Sequence, residues 1–205
     1  MANPEHLAKL LEGVEAWNDW RPQNRDIAPE LSQTDLSGAD LRRMNLGRVN
    51  LGGANLSRAN LSSTFLTQAN LLRADLSDAK VLGAYLHKAR IEHANAFKAD
   101  LSGADLSEAD LTGANLGSAN LRNAKLEKTN LEDASLANAH LDSADLRQAE
   151  LRTACLLRAH LVGADLIKQI SSKQTFVRLT SMGRVLWARN SPMPTRSPRA
   201  LLMRT

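Results

Sequence analysis

A chain of 205 residues is long enough for one ordinary domain, yet only 3% of it is aromatic, while Leu, Ala, Asn, Asp and Ser dominate. That composition excludes a core built around rings and implies a thin interior. A single cysteine, Cys155, excludes an internal disulfide framework and a multi-cysteine zinc site, and no stretch approaches the roughly 18 apolar residues needed to span a bilayer.

The N-terminal stretch MANPEHLAKLLEGVEAW has acidic residues inside its apolar run and no small-residue cleavage site, so it does not read as a signal peptide. With the cysteine usage, this gives the expectation of a soluble cytoplasmic protein. Asn3-Pro4 reads as a helix cap followed by Pro at the first helical position. Leu7, Leu10, Leu11, Val14 and Trp17 follow at helical spacing, and Arg21-Pro22 ends the segment. The spacing predicts one amphipathic helix over residues 4–20, with Trp17 and Trp20 plugging whatever follows. Residues 1–30 carry three basic and six acidic side chains, a balance that disfavours an anionic lipid surface.

From Leu31 to Leu166 every fifth residue makes 28 positions, of which 25 are Leu; the others are Val81, Ile91 and Ala96. Two residues before each Leu, from Thr34 to Ala164, runs a second column with Ala at 22 of 27 positions. Period five is neither helical nor strand-like. It fits one short side of a polygonal coil, with Leu in mid-side and Ala where sides crowd. The nine glycines of this region all fall at the two positions after the central residue, where the chain must turn. The residue before the central one is Asn or Asp in 17 of 27 units, types that hydrogen-bond nearby backbone at tight turns.

The pattern Ala-(Asp/Asn)-Leu-x-x, best seen in ADLSGADLSEADLTGANLGSANL over residues 99–121, resembles the pentapeptide-repeat family. The resemblance covers about two thirds of the chain. It implies an all-β solenoid, a right-handed quadrilateral β-helix of about seven coils with an N-terminal capping helix. At about 4.8 Å per coil the stack is roughly 34 Å long. The implied organisation is a helical cap over residues 1–30, the β-helix over 31–168 and a basic tail over 169–205. Some members of the family dimerise end to end through C-terminal segments, which makes a homodimer through that end an implied partner.

A solid rod offers no deep pocket, no phosphate-binding glycine loop and no catalytic constellation, so the expectation is a protein that is not an enzyme and needs no cofactor. With twenty residues per coil, positions twenty apart stack on one side. His140 and His160 fall in register, but two ligands do not make a zinc site, and they read as solvated histidines. Cys155 reads as an incidental exposed thiol. Phe65 and Tyr85 also stack, at a position usually held by Asn or Asp. Near them the stretch from Lys80 to Lys98 holds all three non-Leu central residues and the cations Lys80, Lys88, Arg90 and Lys98, with Glu92 the lone acid. Phe65, Tyr85, Lys80, Lys88, Arg90 and Lys98 are therefore the candidate interaction patch. Ala96 leaves space that Phe97 is expected to fill by leaning inward.

Residues 31–168 carry sixteen charges of each sign, whereas 169–205 carry seven basic residues and no acidic one. Residues 174–189 suggest a short hairpin around Met182-Gly183 or a capping helix, and the Pro-containing stretch 190–205 suggests disorder. The function expected is a non-enzymatic scaffold presenting a rigid surface to a protein partner. The resemblance also implies an alternative, since well-understood members mimic DNA and bind type II topoisomerases such as gyrase. That mimicry rests on a strongly negative rod, and this rod is neutral. A third reading is attachment to nucleic acid or an acidic surface through the basic tail.

Overall fold

The computed structural model describes residues 1–166 and the backbone of two strands further on, over 177–181 and 184–188. From Glu30 to Asp165 the chain winds as a four-sided β-helix in which parallel bridges join residues twenty apart, from Glu30↔Asn50 to Asp145↔Asp165. The outward columns that bridge are 30–150 on the first side, 35–155 on the second, 40–160 on the third and 45–165 on the fourth.

The five-residue unit exists because it gives every amide in it a partner. In the unit around Leu76, Leu76 N donates to Asn95 O on the next coil at 2.7 Å, and Asp78 N to Phe97 O at 3.0 Å. Asp75 N donates back to Ala54 O on the preceding coil at 2.9 Å, and Ala79 N closes the turn on Leu76 O at 3.0 Å. The remaining amide, Ser77 N, donates to Asp75 Oδ1 at 3.0 Å. This is why Asn or Asp precedes the central Leu. The same residues also bond between coils, as Asn70 Nδ2 does to Asn50 Oδ1 at 2.8 Å and Asn120 Nδ2 to Asp100 Oδ1 at 2.9 Å.

The glycine expectation needs correction. The second residue after the central one is left-handed in every unit from Gln33 to Gly163, as the third position of a type II turn requires. Only six of the nine glycines sit there; Gly47, Gly52 and Gly117 stand one residue earlier, without a positive φ. The other 21 left-handed positions hold residues with side chains, at φ 56–59°. Each costs on the order of 1 kcal/mol, offset by the bonds that the turn's amides make to the next coil. Glycine relieves the corner but is not required by it.

The interior is the stacked Leu and Ala columns, buried from Leu31 to Leu156. Thr64 and Thr129 enter the Ala column without an unpaired hydroxyl, donating to Leu41 O at 2.7 Å and Leu106 O at 2.8 Å. Phe97 does not lean inward. It stands 39% exposed, with its ring over Gly117 of the next coil, where a Cβ would meet Phe97 Cδ2 at 3.2 Å.

The N-terminal cap is two helices rather than one: α1, Pro4–Leu11, and α2, Val14–Gln23. Asn3 caps α1 by accepting from Glu5 N and His6 N, as its sequence suggests. Gly13, at φ 102°, breaks the run, and Pro22 lies inside the last turn of α2 instead of ending it. Trp17 is fully buried and Trp20 packs partly buried beside it, their ring centroids 5.2 Å apart.

The cap does more than plug. It stands in for a coil that precedes the first one. Asn3 N donates to Glu30 O at 2.9 Å, while His6 Nδ1 accepts from Glu30 N at 3.0 Å. Trp17 Nε1 donates to Asn45 O at 2.8 Å, and Asn18 Oδ1 accepts from Asn45 N at 2.8 Å. Arg21 reaches Gly47 O at 3.0 Å. Burial, then the charge of Arg48, pulls its pKa below the ordinary guanidinium value. Two sides of the first coil therefore have the paired donor and acceptor that another strand would supply.

The far end differs. Leu161 and Ala164 are only partly buried, and Val162 is 76% exposed. Strands β1, Val177–Ser181, and β2, Arg184–Ala188, pair antiparallel with Ser181 opposite Arg184. The described backbone over 177–181 and 184–188 is thus strand, as the hairpin expectation requires, and not helix; residues 182–183 lie outside the described residues. The expectation for 190–205 lies outside the described residues. Among the described residues no helix is long and apolar enough to cross a membrane.

If the cap belongs to the cooperative unit, Trp17→Ala lowers stability by about 3–5 kcal/mol. Asn18→Ala, which frees one amide and Arg43 O at the rim, costs about 1 kcal/mol. Chemical denaturation measures both, and a Trp17→Ala loss under about 1 kcal/mol would separate the cap from the rod.

Candidate functional site

The cavity described inside the rod is too small for a substrate. At about 10 Å³, it lies between the central columns, lined only by apolar residues from Leu61 to Leu116, Val81, Ile91 and Ala96 among them. A space of that size and lining offers a water no hydrogen-bond partner. Among the described residues no three His, Cys, Asp or Glu side chains gather as metal ligands.

His140 and His160 meet as their register requires, ring centroids 4.6 Å apart. His140 Nδ1 is taken by Arg122 Nη2 at 3.0 Å. Burial, then the charges of Arg122 and His160, lower the His140 pKa from its ordinary value. A histidine held against a guanidinium is poorly placed to accept a metal. Cys155 is free and exposed on the second side.

The candidate patch divides. Phe65 and Tyr85 stack on the fourth side with centroids 4.9 Å apart and planes within 6°, each nearly half exposed. The cations around them do not form one surface. Lys88 lies on the turn after the fourth side and pairs with Glu108 at 3.4 Å. Arg90 is on the first side, paired with Glu92 at 3.2 Å. Lys80 is on the third side, and Lys98, on the turn between the second and third, sits over the Phe97 ring at 5.3 Å. A run that is contiguous in sequence wraps right round the rod, so these cations face different directions.

Two features of the site escape a residue-by-residue reading. Leu82 is 38% exposed on the turn that leads into the fourth side, three residues before Tyr85. Its signal was an apolar residue at a turn position held elsewhere mostly by Ser, Thr, Gly or Arg. The neutral rod is also two halves of opposite sign. Residues 31–90 carry eight basic and four acidic side chains, and 91–168 carry eight and twelve. Many exposed charges are paired locally: Arg42 grips Asp40 at 2.6 Å, and Arg147 pairs with Asp145 at 2.7 Å and Glu127 at 3.3 Å. Hydrogen bonds from the Arg42 side chain and then its backbone hold Asp40 down at about 2.

Placing an aromatic in the outward column forgoes a bond. With Phe65 and Tyr85 there, the amides of Thr67 and His87 lack the side-chain acceptor that Ser77 N finds in Asp75. The fold itself gains nothing from that exchange except the ring stack.

The family model for pentapeptide repeats matches in eight copies spread over residues 30–167. Among solved structures, the chain is similar to HetL of the cyanobacterium Nostoc, a pentapeptide-repeat protein involved in heterocyst differentiation regulation, at 34% identity over 68% of this chain and 84% of that one, with a TM-score of 0.27. It is also similar to a pentapeptide-repeat protein of the Arabidopsis thaliana thylakoid lumen, at 30% identity over 65% and 72% of the two chains, TM-score 0.27. Full-length QnrB1, a plasmid-mediated fluoroquinolone resistance protein, matches at 23% identity over 68% and 76%, TM-score 0.34. No curated protein matches the chain.

The pKa shifts give a test of the local pairing. Asp40 ionises more easily in the folded chain, so its pairing with Arg42 stabilises the fold above the ordinary carboxylate pKa of 3.8 and fades as pH falls towards about 2. His140 is held neutral in the fold, so its protonation as pH drops below the ordinary 6.5 works against the folded state. NMR titration should show Asp40 returning towards 3.8 in Arg42→Gln, and His140 rising in Arg122→Ala. Unmoved midpoints would dismiss these arginines as the cause.

Proposed function

The chain belongs to the pentapeptide-repeat family, whose fold is the right-handed quadrilateral β-helix, and on that footing we propose that it is a non-enzymatic scaffold that binds another protein through its fourth side. The observation that carries this reading is the exposed Phe65–Tyr85 stack, with exposed Leu82 on the turn that leads into the same side. Rigid aromatic side chains supply much contact area at little entropic cost, and such residues anchor interfaces. Here they occupy positions where the repeat otherwise favours Asn or Asp.

That preference supplies a test that keeps the fold. Phe65→Asn with Tyr85→Asn restores the repeat, regaining up to two turn bonds of about 0.5–1.5 kcal/mol each and losing a ring pair of about the same worth. Stability is expected to stay within about 1 kcal/mol. In affinity capture from native lysate, a protein retained by the full chain should be lost by this double variant. A retained protein indifferent to the two substitutions would remove the fourth side from the proposal.

A DNA mimic that binds gyrase calls for an acidic rod along its length, and residues 31–90 carry a net charge of +4. The expected outcome of a gyrase supercoiling assay is no inhibition at micromolar protein. Potent inhibition would replace the scaffold reading with that one.

A further inference from the structure

The scaffold reading leaves the chemistry of the partner open, and the fourth side bears on it. Along the first three coils, neither its outward column of Asn45, Phe65 and Tyr85 nor the turns on either side of that column hold an Asp or Glu. Those turns carry Arg42, Arg43, Arg48 and Lys88. Arg42 is taken by Asp40 and Lys88 by Glu108. Arg43 and Arg48 are exposed on opposite turns flanking Asn45 and have no ion pair among the described residues. The ring stack is thus bordered at its lower end by two unengaged guanidinium groups.

The geometry of the rings narrows the partner further. They are parallel within 6° and stacked along the column, with Asn45 bridging to Phe65 at one end and Asp105 to Tyr85 at the other. Each ring has one face against its neighbour, and the stack presents its edges outward. A ring edge carries the positive rim of the aromatic quadrupole. Ring edges and guanidinium donors are complementary to carboxylates.

A single-stranded nucleic acid fits less well. Base stacking needs an open ring face, and a strand following the rod would soon cross onto residues 91–168, whose net charge is −4. A short peptide can remain within the basic half. Arg48 and Lys88 stand two coils apart on one turn column, roughly 10 Å, which about three residues of extended chain would span.

Resting on the scaffold reading, we propose that the fourth side of the first three coils binds a short acidic segment of the partner protein, its carboxylates engaging Arg43 and Arg48 and its apolar side chains covering Phe65, Leu82 and Tyr85.

Fluorescence polarisation on the full chain tests this with three labelled probes: a peptide of alternating Glu and Leu, the same peptide with Gln for Glu, and an oligo-dT of equal length. Each is measured at roughly 20 and 150 mM salt, and again with the seven tail cations changed to Gln. The Glu peptide should bind at least about tenfold more tightly than the Gln peptide, weaken with salt, and lose about tenfold in Arg43→Glu/Arg48→Glu and in Phe65→Asn/Tyr85→Asn. Equal binding of the Gln peptide through Phe65 and Tyr85 would overturn the acidic partner and leave the scaffold standing. Preference for oligo-dT that is lost in Arg43→Glu/Arg48→Glu would make the surface a nucleic-acid site. Binding of the Glu peptide that vanishes only with the tail cations, or no binding at either salt, also overturns the proposal. Lysate capture indifferent to Phe65→Asn/Tyr85→Asn, by contrast, is a failure of the scaffold reading itself.

Discussion

Everything in this rod depends on the bond that each coil makes to the next. Leu46 N to Phe65 O, Leu66 N to Tyr85 O and Leu86 N to Asp105 O, at 2.7–2.8 Å, are one interaction repeated along one side. The bonds hold only if each side contains five residues, so that position twenty falls above position zero. That demand fixes the period, and the period fixes the columns. Leu fills the axis because four central side chains must meet there, and Ala follows because the space two residues earlier admits little more. Stability in such a stack is a sum of neighbour terms, which is why an unbroken phase over residues 31–166 matters more than the identity of any one side chain.

An open stack has two ends, and the N-terminal one shows what closure requires. The helices contribute apolar cover through Leu10 and Trp17, both buried. They also present two pairs of groups at strand spacing: Asn3 N with His6 Nδ1 at Glu30, and Trp17 Nε1 with Asn18 Oδ1 at Asn45. Each pair gives one donor and one acceptor to one bridge residue. The amides inside a helix are spent internally and cannot extend a β-ladder, so side chains and the free amide of the capping residue Asn3 take over.

The rod was legible in the sequence because the ladder writes a fixed period into the Leu and Ala columns, and the role of Asn and Asp as turn acceptors followed from their chemistry. The corner was less legible. Glycine marks where the chain turns, but the left-handed residue is more often Arg, Ser or Lys than Gly, since the ladder bonds bear the strain. The cap was half legible: Asn3 and Trp17 announced it, whereas the helical spacing of Leu11, Val14 and Trp17 runs straight across Gly13, which is the break. The candidate patch was least legible. Sequence adjacency gathers Lys80, Lys88, Arg90 and Lys98, yet successive units lie on successive sides, and side chains become neighbours only at separations near twenty.

That geometry also explains why departures from the repeat on the surface carry information. In a globule a surface residue shares its neighbours with the core, and its identity reflects both. Here the columns hold the core, and the side chain before each central residue serves the fold by polar bonds, above all by the task of accepting from the amide two residues on. His140 and Lys125 also give up that task, but each finds a local polar partner, His140 a hydrogen bond from Arg122 and Lys125 an ion pair with Asp105 at 4.0 Å. Phe65 and Tyr85 give it up for a ring stack that leaves nearly half of each side chain exposed. Exposed apolar area of this kind costs free energy in water and is recovered only when something covers it. The pair is therefore the departure from the repeat on which the proposed binding of a second molecule rests.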